Sequence, residues 1–186
     1  VKFIPNDTDN YNIIENIEVT INVAKANPTY EIPTNLTVEY GKTLKDIILP
    51  EGWSFDNKDE EVGSVGTHKF MATYTPGDTT NYNTVSLELE VEVTKIIPNY
   101  EIPTGLTATY GDTLMDVILP TPNNGKFEFE DLLTTSVGNV GEHIFNVKFT
   151  PTDLDNYEVV EHIPVTITVN KKKADLVEIP KLDEIT

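Results

Sequence analysis

The sequence predicts an all-β chain made of tandem β-sandwich repeats, and three observations predict it. Short blocks of sequence return along the chain in a fixed order. Inside each block apolar and polar residues alternate with a period of two, as on strands with one wet face. Gly, Pro, Asn and Asp interrupt the alternation at short intervals, which leaves room for short strands and little else.

The blocks come in this order. Tyr30-Glu31-Ile32-Pro33-Thr34 returns as Tyr100-Glu101-Ile102-Pro103-Thr104, and Tyr40-Gly41-Lys42-Thr43-Leu44 as Tyr110-Gly111-Asp112-Thr113-Leu114, both at a spacing of 70 residues. The spacing then widens to 75: Val62-Gly63-Ser64-Val65-Gly66 pairs with Val137-Gly138-Asn139-Val140-Gly141, and His68 and Phe70 with His143 and Phe145. The extra length falls between Pro120 and Thr135, around Pro122-Asn123-Asn124-Gly125, which marks a surface loop because loops tolerate insertion. A closing segment occurs three times, beginning at Pro5, Pro76 and Pro151 and ending at Tyr11, Tyr82 and Tyr157. An alternating stretch follows each, ending near Lys25, Lys95 or Lys171.

These spacings divide the chain. Residues 1–23 read as the C-terminal part of a preceding repeat, 24–94 and 95–170 as two full repeats, and 171–186 as a linker tail or the start of a further copy, since Val177-Glu178-Ile179-Pro180 repeats the opening block. The expectation is a piece cut from a longer protein, because Val1 falls inside a strand-like pattern.

Within a repeat, Leu87–Val93 and Ile163–Val169 alternate, with Pro164 suggesting an edge strand. His68–Tyr74 and His143–Phe149 alternate too, and Trp53/Phe55 and Phe127/Phe129 each offer two aromatics to one face. Thr43-Leu44-Lys45-Asp46 and Thr113-Leu114-Met115-Asp116 resemble a capping box with Asp in place of Glu. Pro50 and Pro120 limit the helix there to about one turn.

The triplicated Pro-x-Asp-x-x-Asn-Tyr motif is the most informative. Its Asp7, Asp78 and Asp153, with Asn81, Asn156 and the tyrosines Tyr11, Tyr82 and Tyr157, form a structural motif at the head of a strand. Asp and Asn close Asx turns on their own backbone. The Tyr resembles the tyrosine corner of immunoglobulin-like sandwiches, where a hydroxyl ties a corner to upstream backbone. Taken together, Tyr-Gly-x-Thr-Leu, Val-Gly-x-Val-Gly, Pro-x-Asp-x-x-Asn-Tyr and a strand ending in Lys resemble the bacterial immunoglobulin-like tandem repeats of Gram-positive cell-surface proteins, and the "YG" type of MBG repeat. The resemblance spans nearly all of residues 1–171. It implies tandem immunoglobulin-like β-sandwiches in an extracellular protein, wall-anchored or secreted, serving as stalk or adhesin.

Composition narrows the functions. The net charge is −18, which repels nucleic acid and anionic membrane. Arg is absent, so bidentate phosphate clamping is unavailable. Cys is absent too, which removes disulfides, thiolate metal ligands and thiol nucleophiles. No apolar run approaches the roughly 20 residues of a membrane span.

No residue set points to catalysis, a cofactor or a metal. His68 and His143 lack a second His or Cys at ligand spacing, and His162 has no counterpart. Ser54, Ser64, Ser86 and Ser136 show no nucleophile elbow. A cation site would need more oxygen ligands than Asp7, Asp78 and Asp153 supply. The lone Trp53 is a candidate ligand contact if exposed, although its alternation with Phe55 argues for the core. A Lys–Asn or Lys–Asp isopeptide stays open at Lys25, Lys95 and Lys171; an ester cross-link is excluded because Gln is absent. The expected role is a non-catalytic spacer whose partners are neighbouring repeats. The alternative is an adhesion module that holds a host protein or glycan through end loops 51–61 and 121–135.

Overall fold

The structure, a computed structural model, describes residues 1–175. It is nearly all-β, with two four-stranded sheets and two single turns of 3-10 helix. The first sheet holds β1 (Leu36–Glu39), β2 (Trp53–Phe55), β3 (Gly66–Tyr74) and β4 (Val85–Thr94) in the order β1-β4-β3-β2. The second holds β5 (Leu106–Thr109), β6 (Gly125–Phe129), β7 (Gly141–Pro151) and β8 (Val160–Asn170) in the order β5-β8-β7-β6. The first strand of each sheet runs parallel to the last, Leu36 opposite Val91 and Leu106 opposite Ile167, while the other pairs are antiparallel.

Alternation dictates which face is buried. Leu89, Val91 and Val93 on β4 point into the core, and Glu88, Glu90 and Glu92 face water. On β8 the same geometry buries Ile163, Val165, Ile167 and Val169. Each sheet carries its own hydrophobic cluster, and the two clusters share no residue.

Segments outside the strands complete each core. The 3-10 turns Leu44–Asp46 and Leu114–Asp116 drive Leu44 (2% exposed) and Leu114 (1%) into the cores. Val62 and Val137 fill the space beside them. The 3-10 turn interrupts any ladder here: the Asp46 and Ile47 N–H groups turn back on Thr43 and Leu44, while Leu44 and Lys45 donate across to the Glu60 and Lys58 carbonyls at 3.0 and 2.8 Å. As the sequence suggests, the Asp46 carboxylate takes the Thr43 N–H at 3.0 Å and its hydroxyl at 3.1 Å, and Asp116 does the same for Thr113.

A triad of rings closes one end of each core. In the first copy Tyr30, Trp53 and Tyr74 have centroids 5.5–5.7 Å apart. In the second Tyr100, Phe127 and Phe149 take their places.

Three expectations need correction. β8, which Pro164 suggested was an edge strand, lies inside its sheet. Proline is accommodated because β5 pairs with β8 only from Ile167 onward, so Pro164 has β7 alone beside it, opposite Asn146. Residues 12–24 form no strand despite their alternation. Only a short pairing forms there: Phe3 and Ile14 exchange backbone bonds at 2.8 and 3.1 Å and Val1 and Ile17 at 2.8 and 2.9 Å, while Ile21 and Val23 are 80% and 90% exposed. The segments 51–61 and 121–135 are not wholly loop, since they contain the edge strands β2 and β6. The repeat opening expected from Val177 lies outside the described residues.

Candidate functional site: the turn motif and the joint between copies

The three Pro-x-Asp-x-x-Asn-Tyr segments fold alike. In each, one Asp oxygen accepts the backbone N–H groups two and three residues on, at 3.0–3.2 Å. The other accepts the Asn side-chain amide, at 2.8 Å for Asp7, 2.7 Å for Asp78 and 2.9 Å for Asp153. These donors favour the ionised carboxylate, so all three Asp groups are held below the ordinary value, the Asn amide being the largest cause. Both oxygens of each carboxylate are thus committed to its own turn.

The tyrosines act differently from a tyrosine corner. Their backbone N–H groups, not their hydroxyls, make the tie: Tyr11, Tyr82 and Tyr157 donate to the Asp7, Asp78 and Asp153 carbonyls at 3.2, 3.2 and 3.3 Å. The rings are left free to pack elsewhere.

The residues opening each full copy are laced to that copy's own turn. Ala26 donates to the Asn81 carbonyl at 2.8 Å and accepts from Asn83 at 2.9 Å; Ile96 does the same with Asn156 (3.3 Å) and Glu158 (2.9 Å). The Lys before each caps the turn, Lys25 Nζ on the Thr79 carbonyl and Lys95 Nζ on the Leu154 carbonyl, both at 2.6 Å. Their recurrence one residue before the laced position was the signal that could have placed them.

The second copy's turn also docks on the first copy. Asn156 Oδ1 accepts the Val65 N–H at 2.9 Å. The Tyr157 ring meets Tyr40 edge-on, with centroids 5.6 Å apart and planes at 79°. Asn156 is 8% exposed, the one buried polar side chain among the described residues. The receiving surface is made by Tyr40-Gly41 and the Val-Gly-x-Val-Gly loop, around a cleft of about 530 Å³ that Tyr157 also lines.

Glycine and histidine shape that loop. Gly63 (φ 82°) and Gly66 (φ 131°) lie where side chains rarely go, as do Gly138 (φ 95°) and Gly141 (φ 136°) in the second copy. His68 Nε2 donates to the Ser64 carbonyl at 2.6 Å, and His143 Nε2 to the Asn139 carbonyl at 2.7 Å. A carbonyl only accepts, so Nε2 carries the proton. The repeated histidines therefore brace the loop that offers Val65 N–H to its neighbour.

No protein-family model matches this chain, and no curated protein is detectably similar to it.

Two singular residues complete the picture. Trp53 is 8% exposed, and its indole N–H donates to the Glu31 carbonyl at 3.1 Å, so the face a ligand would stack on is covered. His162 sits at positive φ (58°) on β8, where the Glu130 carboxylate takes both its backbone N–H and Nδ1. Around the lengthened segment of the second copy, Tyr100, Pro103, Pro120, Pro122 and Asn124 line an open groove of about 620 Å³. Among the described residues no three His, Asp or Glu side chains converge as a metal would require, and no helix is long and apolar enough to cross a membrane.

Proposed function

We propose that this chain is a stretch of tandem immunoglobulin-like repeats serving as a stalk that extends and presents an adhesive domain at a bacterial surface. The observation carrying the reading is the joint. Each copy has a separate core, and the polar motif that recurs most often is built into turns and the surface between copies. A side-chain hydrogen bond and an aromatic pair, each worth about 0.5–1.5 kcal/mol, restrict bending without merging the cores. Stability is then close to a sum of repeat and neighbour terms. The high negative charge suits an array that must stay soluble and apart from its neighbours. The proposal places the protein outside the cell, where a Cys-free repeat needs no reducing environment. Small-angle scattering is the test. A maximum dimension close to two repeats end to end is expected, and a compact globule would overturn the reading.

One observation favours a second role, adhesion by the repeats themselves. The groove along Tyr100 and Pro120–Asn124 borders the segment whose length differs between copies. Binding of a host protein or glycan by residues 95–170, lost when 121–135 is exchanged for 51–61, would establish that role.

A further inference from the structure

The end of each core that the ring triad closes is built differently in the two copies. In the first, the Trp53 indole N–H donates to the Glu31 carbonyl at 3.1 Å. In the second, Phe127 lies opposite Phe149 as Trp53 lies opposite Tyr74, and Glu101 takes the place of Glu31. A phenyl ring has no N–H to give, and among the described residues the Glu101 carbonyl accepts no hydrogen bond. A phenyl ring is also smaller than an indole, and Tyr100, Glu101 and Phe127 line the open groove of about 620 Å³. The rest of the lining includes residues without a counterpart in the first copy. Glu51-Gly52 alone link Pro50 to Trp53, whereas Thr121–Lys126 link Pro120 to Phe127, and Pro122 and Asn124 of that longer link line the groove.

We propose that this groove receives the indole of a tryptophan in a partner polypeptide, the ring N–H donating to the Glu101 carbonyl as Trp53 donates to Glu31. This rests on reading the groove as an adhesion site and names what enters it. The polar groups of the lining ask for a donor. The Asn124 amide nitrogen is spent on the Asn99 carbonyl at 2.8 Å, which leaves its side-chain oxygen as a second acceptor. Tyr100, Pro120 and Pro122 supply apolar surface for a ring, and the carbonyl fixes its orientation. Glu101 is the one charged residue among those lining the groove, so an anionic ligand is disfavoured and an indole flanked by neutral amides is accepted. A sugar hydroxyl can donate to a carbonyl too, but the first copy shows which group this frame of Tyr and carbonyl holds.

The test is a titration of the intact chain with N-acetyl-tryptophanamide, followed by NMR. Saturable shifts are expected at Tyr100, Glu101 and Asn124, and none at Glu31, whose carbonyl already has its donor. Methylating the indole nitrogen of the probe should weaken binding about fivefold, since the hydrogen bond is lost. Phe127→Trp should abolish the shifts by filling the site from within, and the introduced indole N–H should exchange as slowly as that of Trp53. The methylated probe leaves the protein unaltered, so its result stands however that variant folds. Equal affinity for the methylated probe, or no saturation by the tryptophan amide, overturns this inference. Saturation by N-acetylglucosamine alone overturns it in favour of a glycan and keeps the groove as the adhesion site. No shift from any probe, together with no host ligand lost on exchanging 121–135 for 51–61, removes the adhesion role as well and leaves the stalk reading standing.

Discussion

Asn156→Ala is the sharpest test of the joint, because the chain supplies its own control. The substitution removes the 2.9 Å bond to the Val65 N–H and the 2.9 Å bond from the Asn156 amide to Asp153. Asn81→Ala removes the equivalent bond within its turn, 2.7 Å to Asp78, and Asn81 has no bond to another copy among the described residues. The difference between the two variants therefore isolates the contact between copies. A hydrogen bond of this kind contributes about 0.5–1.5 kcal/mol, and a buried donor left unmade costs about 1–3 kcal/mol. Val65 is half-buried, so water partly replaces the lost acceptor, and the lower end of that range, about 1 kcal/mol, is expected. For units of this size that corresponds to about 4–8 °C in the melting temperature. Scanning calorimetry should show Asn156→Ala melting lower than Asn81→Ala by that margin, with faster amide exchange at Val65. Equal melting temperatures and unchanged exchange at Val65 would refute the claim that Asn156 couples the copies.

Three further outcomes are expected. Leu114→Ala empties a site 1% exposed and should cost the second copy about 2–5 kcal/mol while the first copy's transition moves far less; a matching fall in both transitions would mean a shared core. Gly125→Ala places a methyl group against the Phe149 ring and 2.6 Å from the Thr150 carbonyl, and should cost about 1–3 kcal/mol, whereas Gly77→Ala, with open space around it, should change urea midpoints little. The turn carboxylates Asp78 and Asp153 titrate below their ordinary value of 3.8 in the folded chain. Their stabilisation is complete above that value and is lost as the pH falls through the lower folded one. Urea midpoints should therefore drop between about pH 5 and about pH 2, and the drop should shrink in the Asp78→Asn, Asp153→Asn variant.

Much of this fold was legible from periodicity. Leu87–Val93 and Ile163–Val169 alternate, and they became β4 and β8 because one face of each has a core to cover. The single 3-10 turn was legible because Thr and Asp sit at capping spacing before a proline. What alternation could not reveal is pairing. Residues 12–24 alternate as well as β4 does, yet form no strand: only Ile14 and Ile17 find backbone partners, in Phe3 and Val1. The parallel pairing of β1 with β4 was equally hidden, because it joins residues as far apart in the chain as Leu36 and Val91 with no local signal. The motif pointed to the right residues and the wrong atoms. Asp78 and Asn81 build the expected Asx turn, but the tyrosine ties it through its N–H and offers its ring to the neighbouring copy. Trp53 joined the core, as its spacing from Phe55 implied.

The most direct measurement is to express residues 24–94 and 95–170 as separate polypeptides and follow their urea unfolding. If each repeat owns its core, both fragments unfold cooperatively, each slightly below its midpoint in the intact chain. Fragments that remain unfolded until mixed would contradict the account, because the two clusters of buried side chains would then be halves of one.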